Sequence, residues 1–510
     1  MTIPIAKILQ IKPGVQRDGT KFDAEAYIDG QWCRFYLGKP RKIGGYAMLN
    51  PGNSVIVRTL FNVSRDDNTT NTYMGRFNKL SYLPIDRNNV VGVEVDRTPS
   101  TFIPDPEVVW QFGLMTVGVG DDSESWVIAA SIPNLSSITR ITPGSLWYGR
   151  VEDTTPLLPL EITTPPDTVA SPSGGIVVVS PFLFWFGNNG EVVRSEANNP
   201  QVVSTTKNIS DTKIVLGKST AAGGSNPSVL FWSLTGLYRG VFDPAEGEFT
   251  YSTLSDSISI LSARCVVEYK QTYYWIGVDQ FYFYNGVVNT LPNEMNRIDF
   301  FENVNMDAAE QIFGIINRTF QEIWWFYPRG DATENTNVLI YSLELNCWYD
   351  SEINRSAGTE AGLYRFPILA SNVLDYNDAN VGNYGIWQHE IGLNKVYFTN
   401  QEAIPSYFET AIIVLPQENP EANIQFRTRY IEPDFKMIGN MTLQVNDRGY
   451  AQSPVSSSPL YTFNGQTEKV DTYQMGRLVS YRFESNERDG FYQMGKIIVD
   501  WEPGDVRPKS

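Results

Sequence analysis

Tyr273-Tyr-Trp-Ile276 and Ile323-Trp-Trp-Phe-Tyr327 are apolar at every position, and no other feature constrains the fold of this chain as much. A strand with one face in water alternates apolar and polar residues, because successive side chains point to opposite faces. Continuous apolarity means that both faces are covered, as when small sheets stack face to face around an axis in propeller blades. A strand inside a thick β-sandwich, or a buried helix segment, is the competing reading. The rest of the chain points to strands. Runs of Val, Ile, Phe, Tyr and Trp alternate with Gly, Asn, Asp and Pro clusters almost throughout, the pattern of an all-β chain. Only Asn305 to Ile312 reads as a short helix, with Asn305 as N-cap and Asp307 in the first turn.

Turn chemistry places several hairpins. Asn285-Gly286 and Asn189-Gly190 each lie between aromatic or valine strands, and both residue types accept the positive φ of a type I′ turn. Thr462-Phe-Asn-Gly-Gln466 is a third candidate, and Ile315 to Phe320 a less regular fourth. A pair of aromatic-rich strands recurs at Tyr73–Leu83, Leu183–Val193, Leu230–Phe242, Tyr273–Val288, Ile323–Tyr341 and Ile386–Phe398. The spacing is irregular, as blade-like units of about 40 to 50 residues with insertions would make it. From about Gln401 the pattern changes to true alternation, as in Asn423 to Ile431, Met441 to Val445, Arg477 to Phe483 and Lys496 to Trp501. One-sided strands of that kind predict a separate β-sandwich, with the Pro/Ser-rich stretch from Ala451 to Pro459 as a loop inside it.

Composition closes several functional classes. The 510 residues carry 57 acidic and 40 basic side chains, a net charge of −17, which argues against a protein that wraps nucleic acid through phosphate contacts. The one histidine, His389, leaves triads, His-ligated zinc sites and most acid–base pairs without their usual residue. It reads as a packed polar residue rather than a ligand. Cys33, Cys265 and Cys347 lie far apart and are odd in number, against a disulfide framework or a Cys-rich zinc site. Synthesis in a reducing cytoplasm fits them. The strongest apolar run, Gly175 to Phe186, falls short of the about twenty residues of a bilayer span, and the N-terminus lacks the basic and apolar regions of a signal peptide.

No phosphate-binding loop, H-E-x-x-H, EF-hand loop or G-x-S-x-G elbow occurs in the sequence. Asp66-Asp67 and Asp121-Asp122 read as solvated loops, since calcium-loop spacing is missing. A pair of carboxylates meeting in space, as a glycosidase needs, is open from sequence alone. The densest basic cluster is Lys39-Pro-Arg-Lys42, in which Lys39, Arg41 and Lys42 are either a solvated turn or a contact with an acidic partner or nucleic acid.

Asp29-Gly-Gln-Trp-Cys-Arg-Phe-Tyr-Leu-Gly-Lys-Pro-Arg-Lys-Ile-Gly-Gly45 resembles an N-terminal motif of bacteriophage tail proteins. Trp275 to Gly286, Leu291-Pro292, Asn317, Phe320 to Pro328, Asn346 to Tyr349 and Gly476 to Ser485 resemble the tail nozzle, or tail hub, of short-tailed phages, the phage stabilisation protein. Cys33 stands where a β-branched residue is expected. The resemblance implies a structural virion tail protein, synthesised in the host cytoplasm, that closes the DNA channel and conducts the genome during ejection. The partners it implies are other copies in a ring of six, the portal and head-to-tail adaptor, and tail fibres or tailspikes with a needle. Duplex DNA would pass through without tight binding, and no membrane insertion is implied.

The reading is therefore an all-β chain with a β-propeller of about six blades and a C-terminal β-sandwich. Residues 1–50 lead into the first blade, 51–400 form the propeller with insertions, and 401–510 form the sandwich. The function expected is structural and non-enzymatic, with no catalytic residues, metal or cofactor. The alternative is a glycan-processing or glycan-binding propeller, virion-borne or secreted.

Overall fold

A computed structural model of the chain describes residues 5–86, 88–133, 145–162, 172–220, 226–359, 366–374, 376–378, 381–414 and 424–506. Six consecutive segments, 59–96, 108–159, 175–208, 214–255, 267–290 and 313–352, each fold into a four-stranded antiparallel sheet whose strands pair in chain order. These are blades 1 to 6. The innermost strands of blades 1 to 4 lie side by side in order, as do those of blades 5 to 7, and blade 7 returns to blade 1. Blades 4 and 5 are joined by Trp232 and Trp275, edge to face at 5.8 Å. The chain is a β-propeller.

A further blade, blade 7, joins the six regular ones. It runs from Ala357–Thr359 through Ile368–Ala370 and Val381–His389, and its fourth strand is Tyr46–Asn53 from the N-terminal segment. The ring is therefore closed by a strand that precedes blade 1 in the chain. Gly45 permits this closure: a Cβ there would fall against the backbone of Asn394 and Ile391.

The two continuous apolar strands differ in burial: in Thr272–Ile276, the second strand of blade 5, Tyr274 is only half-buried. Glu322–Tyr327, in the middle of blade 6, is buried at all six positions. Close stacking also explains glycines in innermost strands. A Cβ on Gly217 would lie 2.7 Å from Val177 of blade 3, and one on Gly314 would lie 2.5 Å from Val267 of blade 5.

Of the expected turns, Asn189 and Gly190 both take positive φ, 57° and 67°. At Asn285-Gly286 only Gly286 does, because Tyr284 pairs with Val288 and three residues make the connection. The type I′ expectation is corrected there. Residues 462–466 make no hairpin, since Tyr461–Asn464 pairs with 440–443 instead. The expected helix is a 3-10 turn, Met306–Gln311, in which the Asn305 side chain accepts from the Asp307 N–H at 3.1 Å. A short α-helix, Arg297–Asn303, was not expected; it buries Phe300.

The N-terminal segment also has a second role. Ile5–Ile8, Asp29–Gln31 and Lys39–Lys42 pair with strands beyond residue 400, each joining one of the three sheets of the C-terminal region, and Cys33–Tyr36 pairs with Lys39–Lys42 at the edge of one of them. In one of these sheets Asp29–Gln31 lies beside Ser406–Glu409, which pairs with Leu478–Ser485 and then Asn440–Arg448. Phe408, Tyr481, Phe483, Tyr492 and Trp501 form a single core with Trp324, Phe326 and Tyr349 of blade 6. Each such side chain contributes about 1.5–3 kcal/mol on burial, so the C-terminal region is fixed to blade 6 by the same apolar packing that forms its own interior.

Candidate functional site

The basic cluster does not form an exposed patch. Lys39–Lys42 is a strand held between Cys33–Tyr36 and Phe491–Met494. Lys42 is buried, its Nζ 3.5 Å from the Ser485 carbonyl oxygen, and burial pushes its pKa down to about 8. A side chain so enclosed presents nothing to a partner. Arg41 is half-buried among the rings of Tyr36, Phe320 and Phe491. Lys39 is half-buried too, and burial, with Lys496 nearby, lowers its pKa.

A buried cluster of charge lies next to it and was not expected. Arg34, 1% exposed, donates from Nε to Glu322 Oε1 at 2.8 Å and from Nη2 to Glu322 Oε2 at 2.9 Å. It also donates from Nη1 to Glu390 Oε2 at 3.0 Å and from Nη2 to Glu390 Oε1. Tyr349 and Trp324 donate to Glu322 at 2.6 and 2.9 Å, and Asn317 donates to Glu390 at 3.0 Å. The Phe320 ring closes over the guanidinium at 3.5 Å. Burial raises the Glu322 carboxyl above its ordinary value, Arg34 opposes that, and Glu390 adds to it. Two carboxylates do converge, but on a cation inside the fold. The cluster joins the N-terminal strand, blade 6 and the end of blade 7.

His389 lies beside this cluster, fully buried, stacked on Tyr46 at 5.0 Å, and accepts at Nε2 from Arg355 Nε at 3.0 Å. Burial, and then the Arg355 charge, hold its pKa well below the ordinary value. Cys33, Cys265 and Cys347 are buried free thiols, and burial pushes them up to about 12, 11 and 12. Among the described residues no group of His, Cys, Asp and Glu is arranged to hold a metal ion, and no helix is long and apolar enough to cross a membrane. Asp66, Asp67, Asp121 and Asp122 are exposed.

The propeller channel holds a cavity of about 390 Å³. Apolar residues of blades 1 to 4, including Phe61, Phe112, Ile176 and Leu216, line it. Lys213, Lys218 and Arg264 are its basic lining residues and Glu310 its acidic one. Lysines singly placed in a strand pattern carry no sequence signal, so nothing short of the ring geometry assembles these residues. Arg34 did have a signal: it stands between Cys33 and Phe35 in a strand without alternation.

No family model matches the chain, and no curated protein matches it. Similar solved structures include YCF48 bound to a D1 peptide, at 10% identity and a TM-score of 0.36, covering 71% of this chain and 96% of that one. YCF48 from Cyanidioschyzon merolae is another, at 8% identity and a TM-score of 0.40, covering 68% of this chain and 98% of that one. Identities this low concern the fold alone.

The tail-nozzle resemblance is corrected by these findings: the similar structures named are YCF48 proteins, and none joins the chain to phage tails. Its motifs have another account. Trp275 to Gly286 and Phe320 to Pro328 are inner strands and turns of blades 5 and 6, and Gly44-Gly45 admits the ring closure. Strand and turn residues of this kind serve any propeller built from four-stranded blades. The virion location and the tail and DNA partners rested on that resemblance alone.

Proposed function

We propose that this chain is a non-catalytic binding scaffold, a closed propeller fastened to a C-terminal β region, which acts by presenting its surfaces and channel to a partner. The observation that supports this is the placement of its acid–base groups. A general acid or base must come within hydrogen-bond reach of the atom it protonates or deprotonates. Glu322 and Glu390, a converging carboxylate pair, are instead joined through Arg34 in the interior, with side chains 2% and 3% exposed. His389 faces Arg355 behind Tyr46. These groups bind the N-terminal strand to blades 6 and 7, which is a stabilising role.

The test is an assay against polysaccharides and aryl glycosides, reading reducing ends and released phenol. The expected result is no turnover above a heat-denatured control. Turnover that disappears when a single Asp or Glu is replaced overturns the scaffold reading in favour of a glycan-processing propeller.

A further inference from the structure

The channel combines an apolar wall with a surplus of positive charge, in a chain whose net charge is −17. One mouth can be traced residue by residue. Gln111 Nε2 donates to the Gly174 carbonyl oxygen at 3.5 Å, and a Cβ on Gly174 would lie against Ile214, next to Lys213. In the other direction, Thr59 Oγ1 donates to the Trp110 carbonyl oxygen at 2.8 Å, and Arg264 Nη1 donates to the Arg58 carbonyl oxygen at 2.7 Å. Lys213 and Arg264 therefore belong to the same end, where the innermost strands begin. Lys218 lies five positions further along blade 4, about 16 Å away at the rise of a strand.

Arg264 is held in place by neutral groups. Its Nη atoms donate to the carbonyl oxygens of Arg58, Ser356 and Glu310 and to Gln311 Oε1, and it makes no ion pair among the described residues. Burial, with the Arg58 charge, lowers its pKa to about 10, so it is cationic at neutral pH. Arg58 is itself neutralised by Glu334, at 2.6 Å. Lys213 makes no ion pair among the described residues, and burial lowers its pKa. The mouth thus holds two cations, Lys213 and Arg264, against one acid, Glu310. Charges partly removed from water favour a counter-ion that also brings apolar surface.

We infer that the channel is a binding site for a small amphipathic monoanion, its carboxylate at the Lys213–Arg264 mouth and its apolar body against Phe61, Phe112, Ile176 and Leu216. The cavity lies in the size range of small-molecule sites, about 300–1,000 Å³. This rests on the scaffold reading only in treating the propeller as a binding module.

Isothermal titration of the full chain with decanoate, decanol and acetate tests it. Decanoate should bind saturably, and decanol and acetate at least about tenfold more weakly, since each lacks one of the two recognised parts. Lys213→Gln should weaken decanoate about tenfold, with the far-ultraviolet circular dichroism unchanged, whereas Lys218→Gln should change it less than threefold. No saturable binding of decanoate, equal binding of decanol, or a loss confined to Lys218→Gln overturns the proposal. None of these results bears on turnover, so this site and the scaffold reading fail separately.

Discussion

Replacing Arg34 by Met should destabilise the chain strongly at neutral pH and much less in acid. Arg34 is the cation between Glu322 and Glu390, and all three are almost fully buried. Met keeps most of the side-chain length but leaves two carboxylates facing each other without a counter-charge. Breaking a buried pair this way costs about 3–5 kcal/mol, because the remaining charge stays desolvated. Spread over the unfolding entropy of a chain this size, about 4 kcal/mol lowers the melting temperature by about 4 °C if the molecule melts as one unit. The pH dependence identifies the cause. The Glu322 carboxyl already lies above its ordinary value, and loss of Arg34 raises it further. A carboxyl whose folded pKa is raised favours the fold below its unfolded pKa and loses that contribution as pH rises through the folded value. The deficit of Arg34→Met should therefore be largest near pH 7.5 and shrink towards pH 4.5. Differential scanning fluorimetry of wild type and variant at matched pH values measures the difference. Adding Glu322→Gln and Glu390→Gln should recover more than half of it. A variant as stable as wild type at pH 7.5, or a deficit independent of pH, would refute the counter-charge account.

Three further outcomes follow from buried groups. His389 is the one imidazole, so a proton NMR titration reads it without assignment; its ring signals should not move between pH 8 and 5.5, because burial and Arg355 hold it neutral. A depressed folded pKa means that stability falls as pH drops below the unfolded value of about 6.5, and His389→Phe should flatten that part of the profile. Cys33, Cys265 and Cys347 should not react with a thiol reagent at pH 8 in the native state, and all three should react after unfolding in guanidinium. A thiol labelled at the rate of free cysteine in the native protein would contradict its burial.

Much of the architecture was legible in the sequence because strand burial leaves a period. Ile323 to Tyr327 lacked alternation and lies in a two-sided blade, whereas Met441 to Val445 alternated and faces one core. Blade 7 was illegible as a unit. Its first two strands have three residues each, and its last one, Tyr46–Asn53, lies more than 300 residues before the strand it pairs with, Val381–His389. Its pattern gave no sign of that partner.

What the sequence determined by itself is local: strand or turn, one buried face or two, and the scarcity of histidine. Backbone sterics and side-chain periodicity act over a few residues, so they are written there in full. What only the tertiary structure decided is which distant residues meet. Arg34, Glu322 and Glu390 become a cluster, and Lys213 and Arg264 share a channel mouth, because the ring brings segments together that are separated by long stretches of chain. Lys39, Arg41 and Lys42 show the reverse case. Adjacent in sequence, they looked like one basic patch, but a strand sends neighbouring side chains to opposite faces, and pairing on both edges left Lys42 inside.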